Sequence, residues 1–110
     1  LNFKRLAEMG RPLFIVYGVM ADKDLDSIIP LMPSCAQWYF TTPSTRRSLP
    51  SQAILQKVAR FRGSSENLYA FDTVGDAVDA ALQSAGPDTL IYIGGSTFAV
   101  SEAIPHFRNR

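Results

Sequence analysis

The segment Leu13-Phe14-Ile15-Val16-Tyr17-Gly18-Val19-Met20-Ala21-Asp22-Lys23-Asp24 changes character once. Up to Met20 it is an apolar run, broken only by Gly18 and rich in Ile, Val and Tyr. Such a run is the pattern of a strand buried on both faces. Asp22 and Asp24 then suit a helix N-terminus. Leu25, Ile28, Ile29 and Met32 continue as a helical stripe, which Pro30 shortens or kinks. A doubly buried strand feeding directly into a helix is the start of a βαβ unit, and the pattern spreads outward from there.

Upstream, Leu1, Phe3, Leu6 and Ala7 predict a helix over Leu1–Met9, closed by Gly10 and followed by Pro12. Downstream, Ala36–Thr42 reads as a strand centred on Trp38-Tyr39-Phe40, followed by a Pro-Ser-Thr-Arg-Arg-Ser-Leu-Pro loop from Pro43 to Pro50. Ser51–Arg62 is an amphipathic helix, with Ile54, Leu55, Val58 and Phe61 on one side and Gly63 at its end. Asn67–Asp72 is a short strand. Thr73 with Asp76 resembles a capping box for a helix bearing Val74, Ala77, Val78, Ala81 and Leu82, which Gly86-Pro87 stops. Thr89–Gly94 is a fourth strand, and Thr97–Phe107 a last helix, disturbed by Pro105. Strands alternating with helices require crossovers, and therefore parallel pairing. The expected fold is an α/β three-layer sandwich with a mostly parallel, Rossmann-like sheet in a single domain spanning 1–110.

Composition narrows the function. The 110 residues are 46% hydrophobic and 19% charged, which excludes a disordered chain. Eleven Lys and Arg against ten Asp and Glu leave a net charge of +1, so no electrostatic argument points to nucleic acid or an anionic membrane. The longest apolar stretch is far short of the ~20 residues that span a bilayer. The single cysteine, Cys35, makes no internal disulfide, so a reducing, cytoplasmic compartment is expected. The single histidine, His106, excludes a His-cluster metal site. Neither G-x-x-x-x-G-K-[ST] nor G-x-G-x-x-G occurs. Any nucleotide chemistry must therefore draw most of its machinery from elsewhere. With no initiator Met and no signal peptide, Leu1–Gly10 reads as the middle of a longer protein.

In open parallel sheets, ligands bind beyond the carboxyl ends of the strands. Four such ends are readable: Ala21-Asp22-Lys23-Asp24, Thr42 to Arg47, Asp72-Thr73, and Gly94-Gly95-Ser96-Thr97. Gly94-Gly95 lets a backbone approach a ligand, and the following helix offers free N–H groups and a positive dipole end to a carboxylate or phosphate. Ser96 adds a hydroxyl there, and it reads equally as the N-cap of its own helix. Lys23 suits an anion, while Asp22 and Asp24 also read as an ordinary helix start. Arg46-Arg47 offers bidentate contacts, or is a solvated loop pair. His106, Cys35 and the Trp38-Tyr39-Phe40 run read as structural.

Taken in order, the G-x-x-x-D-K-D turn of Gly18–Asp24, the W-Y-x-x-x-P of Trp38–Pro43 leading to Arg47 and Leu49-Pro50, and the late Gly95-Ser96-Thr97-Phe98 resemble the C-terminal domain of bacterial folylpolyglutamate synthase/dihydrofolate synthase. That family belongs to the Mur ligase superfamily. The resemblance runs through essentially the whole chain. It implies an ATP-dependent ligase that phosphorylates a carboxylate of dihydropteroate or folate and joins L-glutamate to it through an acyl phosphate. It implies that ATP and Mg²⁺ are bound mainly by an N-terminal ATPase domain missing here. Its D-x-x-H-N segment would lie just upstream of Leu1.

The present domain would then position substrates, do no covalent chemistry itself, and act within a cytoplasmic monomer. By the same resemblance, Ser96, Gly95 and Lys23 fall on the glutamate and nucleotide side, Asp22 and Asp24 orient Lys23, and Arg47 is the loop arginine. Phe98 stands where Tyr or His is frequent, so no polar role follows at that position. The competing readings are another Mur-type amino-acid ligase and a free-standing α/β module that binds a small anion or a partner protein.

Overall fold

The computed structural model describes residues 3–108, without the side chain of Arg108. Its elements are α1 (Phe3–Glu8), β1 (Leu13–Tyr17), α2 (Leu25–Ile28), a 3-10 turn (Ile29–Leu31), β2 (Gln37–Phe40), α3 (Ser51–Arg62), β3 (Leu68–Ala70), α4 (Val74–Ser84), β4 (Leu90–Gly94) and α5 (Thr97–Arg108). The expected alternation is present in full. Leu1, assigned above to the first helix, lies outside the described residues. Every strand is shorter than the sequence suggested, and in the first of them apolar residues continue past the point where pairing stops. The first expected strand reached Met20, whereas β1 ends at Tyr17 and Met20 makes only an isolated antiparallel bridge with Ser48. The helix over Leu25 to Met32 tightens into the 3-10 turn, with Pro30 inside that turn. Pro105 lies inside α5, but so near its end that few hydrogen bonds are lost and the helix runs on to Arg108.

The four strands are parallel in the order β3-β2-β1-β4. The registers pair Val16 with Tyr39 and with Ile93, so β1 is central. Handedness dictates the layers. Right-handed crossovers moving from β1 to β2 to β3 keep their helices on one face. The return from β3 to β4 travels the other way and must cross on the opposite face. The packing agrees. Leu13, Ile15, Tyr17, Trp38 and Phe40 pack with Leu25, Ile29, Ile54 and Val58, and Phe3 and Leu6 of α1 close over them. Phe14, Val16 and Tyr39 pack against Val74, Ala77, Val78 and Ala81 of α4 and Ala99 and Ala103 of α5.

All five β1 residues are buried, as a doubly covered strand requires. The aromatic run of β2 is core: Trp38 and Phe40 stack at 5.8 Å on one face, and Tyr39 stacks on Tyr69 at 5.3 Å on the other. Trp38 Nε1 donates to the Pro33 carbonyl and the Tyr39 hydroxyl to Gln37 Oε1, each at 3.1 Å, which satisfies the polar atoms of this buried run. Among the described residues no helix is long and apolar enough to cross a membrane.

Candidate functional site

The sheet order reverses between β1 and β4: the chain leaves β1 toward β2 and later returns to β4 on the other side. That is the switch point at which open α/β sheets form their crevice. Here the two strand ends meet backbone to backbone. Gly18 N–H donates to the Gly94 carbonyl at 3.2 Å. Gly95 has φ +99, and a side chain on it would run into the Gly18 carbonyl oxygen. A side chain on Gly18 would in turn run into Thr41 Oγ1 and the Pro43 ring. Three strand-end loops are thus packed at separations that only glycine permits. Thr41 Oγ1 is buried beneath Gly18 with no hydrogen-bond partner among the described residues.

The Lys23 turn is knitted to the loop after β2. Ala21 N–H donates to the Arg47 carbonyl at 2.6 Å, and Leu49 N–H donates to the Val19 carbonyl at 2.9 Å. Arg47 also reaches Asp22 at 3.4 Å, although both side chains are more than two-thirds exposed, at 76% and 71%. Such a pair is weak and open to exchange with an incoming anion. Lys23 is exposed and has no ion-pair partner among the described residues. Asp24 is the N-cap of α2: it accepts from Ser27 N–H at 3.3 Å and from Ser27 Oγ at 2.6 Å, and these bonds hold its carboxyl below the usual carboxylate range. This is the helix-start alternative read from the sequence.

Ser96 likewise caps its own helix, accepting from Ala99 N–H at 3.1 Å. Its hydroxyl proton remains available to donate, because a cap uses only the oxygen's lone pair. Gly95 and Ser96 line a groove of about 520 Å³ with Tyr92, Ile93, Val100 and Ile104. Asp22, Lys23, Asp24, Arg47 and Phe98 do not line it. Phe98 stands on α5 with 49% of its surface exposed. The predicted residues thus divide into two groups on one sheet edge: the charged turn with Arg47, and the Gly95-Ser96 helix start.

Sequence reading missed the tie between these groups. Glu102 of α5 accepts from Ser44 N–H at 3.1 Å to each carboxylate oxygen, and from Ser44 Oγ at 2.9 Å. The two residues are 58 positions apart, and neither carries a local signal of the contact. His106 has a structural place, as expected. It lies over Gly75 and pairs with Asp79 at 3.2 Å, joining α5 to α4. Cys35 is free and exposed.

The sequence pattern described as "Mur ligase, glutamate ligase domain" matches residues 2–97. The chain belongs to this family. Its fold is that of a folylpolyglutamate synthase from Mycobacterium tuberculosis, solved with ADP and AMPPCP, at a TM-score of 0.71 and 26% identity over 91% of this chain. A bifunctional folylpolyglutamate synthase/dihydrofolate synthase from Yersinia pestis, complexed with AMPPNP and Mn ion, superposes at 0.74 with 20% identity over 96%. E. coli FolC in complex with DHPP and ADP superposes at 0.70 with 21% identity over 98%. The chain spans about a quarter of each of those proteins, 24%, 24% and 26%. No curated protein matches it.

The nucleotide and metal that the resemblance implies would need ligands among the described residues. Those residues hold no group of three His, Cys, Asp or Glu able to ligate an ion, and the sequence has no phosphate-binding loop. Among the described residues, no side-chain cluster fits Mg²⁺ on its own.

Proposed function

We propose that this chain is the amino-acid-positioning domain of an ATP-dependent ligase that joins L-glutamate to dihydropteroate or a folate. The observation that supports the reading is the close contact of Gly18, which opens the Lys23 turn, with Gly95, which precedes the Ser96 helix start, at the switch point of a glutamate-ligase domain. ATP and Mg²⁺ would supply the activated carboxyl from another domain of the same cytoplasmic protein. This chain would bring the amine to it.

L-Glutamate carries two carboxylates and one ammonium. Lys23 and Arg47 can each meet a carboxylate, and the α5 N-terminus with the Ser96 hydroxyl suits another anionic group. Asp22 and Asp24 keep the turn ordered and balance its charge. Phe98 contributes apolar surface only. Placing the amine against an activated carbonyl is worth up to about 7–11 kcal/mol of barrier through orientation alone. Closure of this domain over the crevice would exclude water that otherwise hydrolyses the activated acid.

The test is ADP release by the full-length protein with ATP, Mg²⁺ and L-glutamate, supplied with either dihydropteroate or a reduced folate. Glutamate-dependent release with one acceptor is expected, and that acceptor names the activity. In the same assay, Ser96→Ala is expected to raise KM for glutamate more than KM for ATP. An unchanged glutamate KM would remove Ser96 from the site. No release with either acceptor, from folded protein, would favour another amino-acid ligase.

A further inference from the structure

The loop after β2 is a closed, pinned unit. Internally, Ser48 Oγ donates to the Pro43 carbonyl at 2.6 Å, and Ser48 N–H donates to the Thr45 carbonyl at 3.1 Å. Its C-terminal half is stitched to the Lys23 turn through the Met20–Ser48 bridge and the Ala21–Arg47 bond. Its N-terminal half is tied to α5 through Glu102, whose two carboxylate oxygens accept from the Ser44 N–H and hydroxyl. One carboxylate therefore couples the helix capped by Ser96 to the loop that bears Arg47. Charge assistance makes such bonds shorter and roughly twice as strong as neutral ones.

We infer that Glu102 is a positioning residue for the amino-acid substrate: by holding Ser44 it sets Arg47 and the Lys23 turn at a fixed distance from the α5 N-terminus. The inference rests on the proposed glutamate site. Glu102 does not touch the ligand. It acts through Ser44 and the loop. If the two anion-binding groups engage one dicarboxylate, a loose loop lowers its affinity even though every ligand-contacting side chain remains.

The charge of Glu102 makes the direction of the effect diagnostic. Removing a carboxylate near an anion site would, through Coulomb forces alone, tighten glutamate binding. Positioning predicts the reverse. In the full-length protein, Glu102→Gln, which keeps an acceptor oxygen but loses the charge, is expected to raise KM for L-glutamate about fivefold, the scale of the lost charge assistance, with KM for ATP unchanged. Glu102→Asp keeps the charge but withdraws it by one methylene, and is expected to raise glutamate KM similarly. Hydrogen exchange at the amides of 44–49 is expected to quicken in both variants.

A glutamate KM that falls or stays level in Glu102→Gln while ATP KM is unchanged would overturn the assignment. So would exchange at 44–49 that matches the wild type. If the wild type itself shows no glutamate-dependent turnover, the proposed function fails, and the exchange measurement still decides whether Glu102 holds the loop.

Discussion

Gly95 shows how much of this protein turns on a missing atom. Its φ of +99 belongs to a region that side chains avoid, and the direction a side chain would take is occupied by the Gly18 carbonyl. Strain and collision act together, so Gly95→Ala is expected to destabilise the fold by on the order of 3 kcal/mol in urea denaturation. Gly86 is the control. An added methyl there has only Thr89 Oγ1 nearby, at 3.8 Å, and Gly86→Ala is expected to stay within about 0.5 kcal/mol of wild type. The sequence made Gly94-Gly95-Ser96 suspicious as a ligand loop. It did not reveal that Gly95 is required first by the neighbouring strand end. Ser96 is similar, being a helix cap by geometry whatever else its hydroxyl does. Its substitution is therefore best read through substrate constants rather than through activity alone.

At the scale of elements, local chemistry was a good guide to existence and a poor one to length. Thr73 accepts from Asp76 N–H at 3.0 Å, the cap read from the Thr-x-x-Asp spacing. Thr73→Ala is expected to lower stability by about 1 kcal/mol, measurable as a shifted denaturation midpoint with unchanged slope. Pro30 tightened its helix as its ring chemistry demands. Strand ends were less legible. Val19 and Met20 are as apolar as the residues of β1, but beyond Tyr17 the backbone turns to pair with the loop after β2. Hydrophobicity reports burial, whereas a strand is defined by its neighbours' hydrogen bonds. The α5 helix carries exposed Val100 and Ile104 beside the groove at β4, an edge strand that pairs only with β1. Their helical spacing could not distinguish this face from the Ala99 and Ala103 face that packs on α4.

At the scale of the whole molecule, burial has a consequence for pH. Desolvation raises the Tyr17 hydroxyl above its ordinary value of 10.0, and Tyr92 nearby adds to the effect. Burial raises Tyr92 as well. In the unfolded chain these groups ionise near pH 10, while the folded protein holds their protons longer. The native state then binds more protons, so this contribution is complete below about pH 10 and is lost as pH rises through the folded values. Thermal unfolding is expected at a lower temperature at pH 11 than at pH 9, and Tyr17→Phe is expected to narrow that difference.

What the sequence determined by itself was the alternation of elements, the parallel sheet, the doubly buried β1, the aromatic core of β2 and the candidate rim of strand ends. These follow from periodicity, turn chemistry and crossover geometry, all of which act over a few residues or through general rules of chirality. Only the tertiary structure decided the strand order and hence the switch point, the Gly18–Gly95 contact, the separation of the charged turn from the groove at Ser96, and the Glu102–Ser44 tie. Each of these joins residues tens of positions apart. Such contacts are selected by the packing of the completed sheet, which no local spacing encodes.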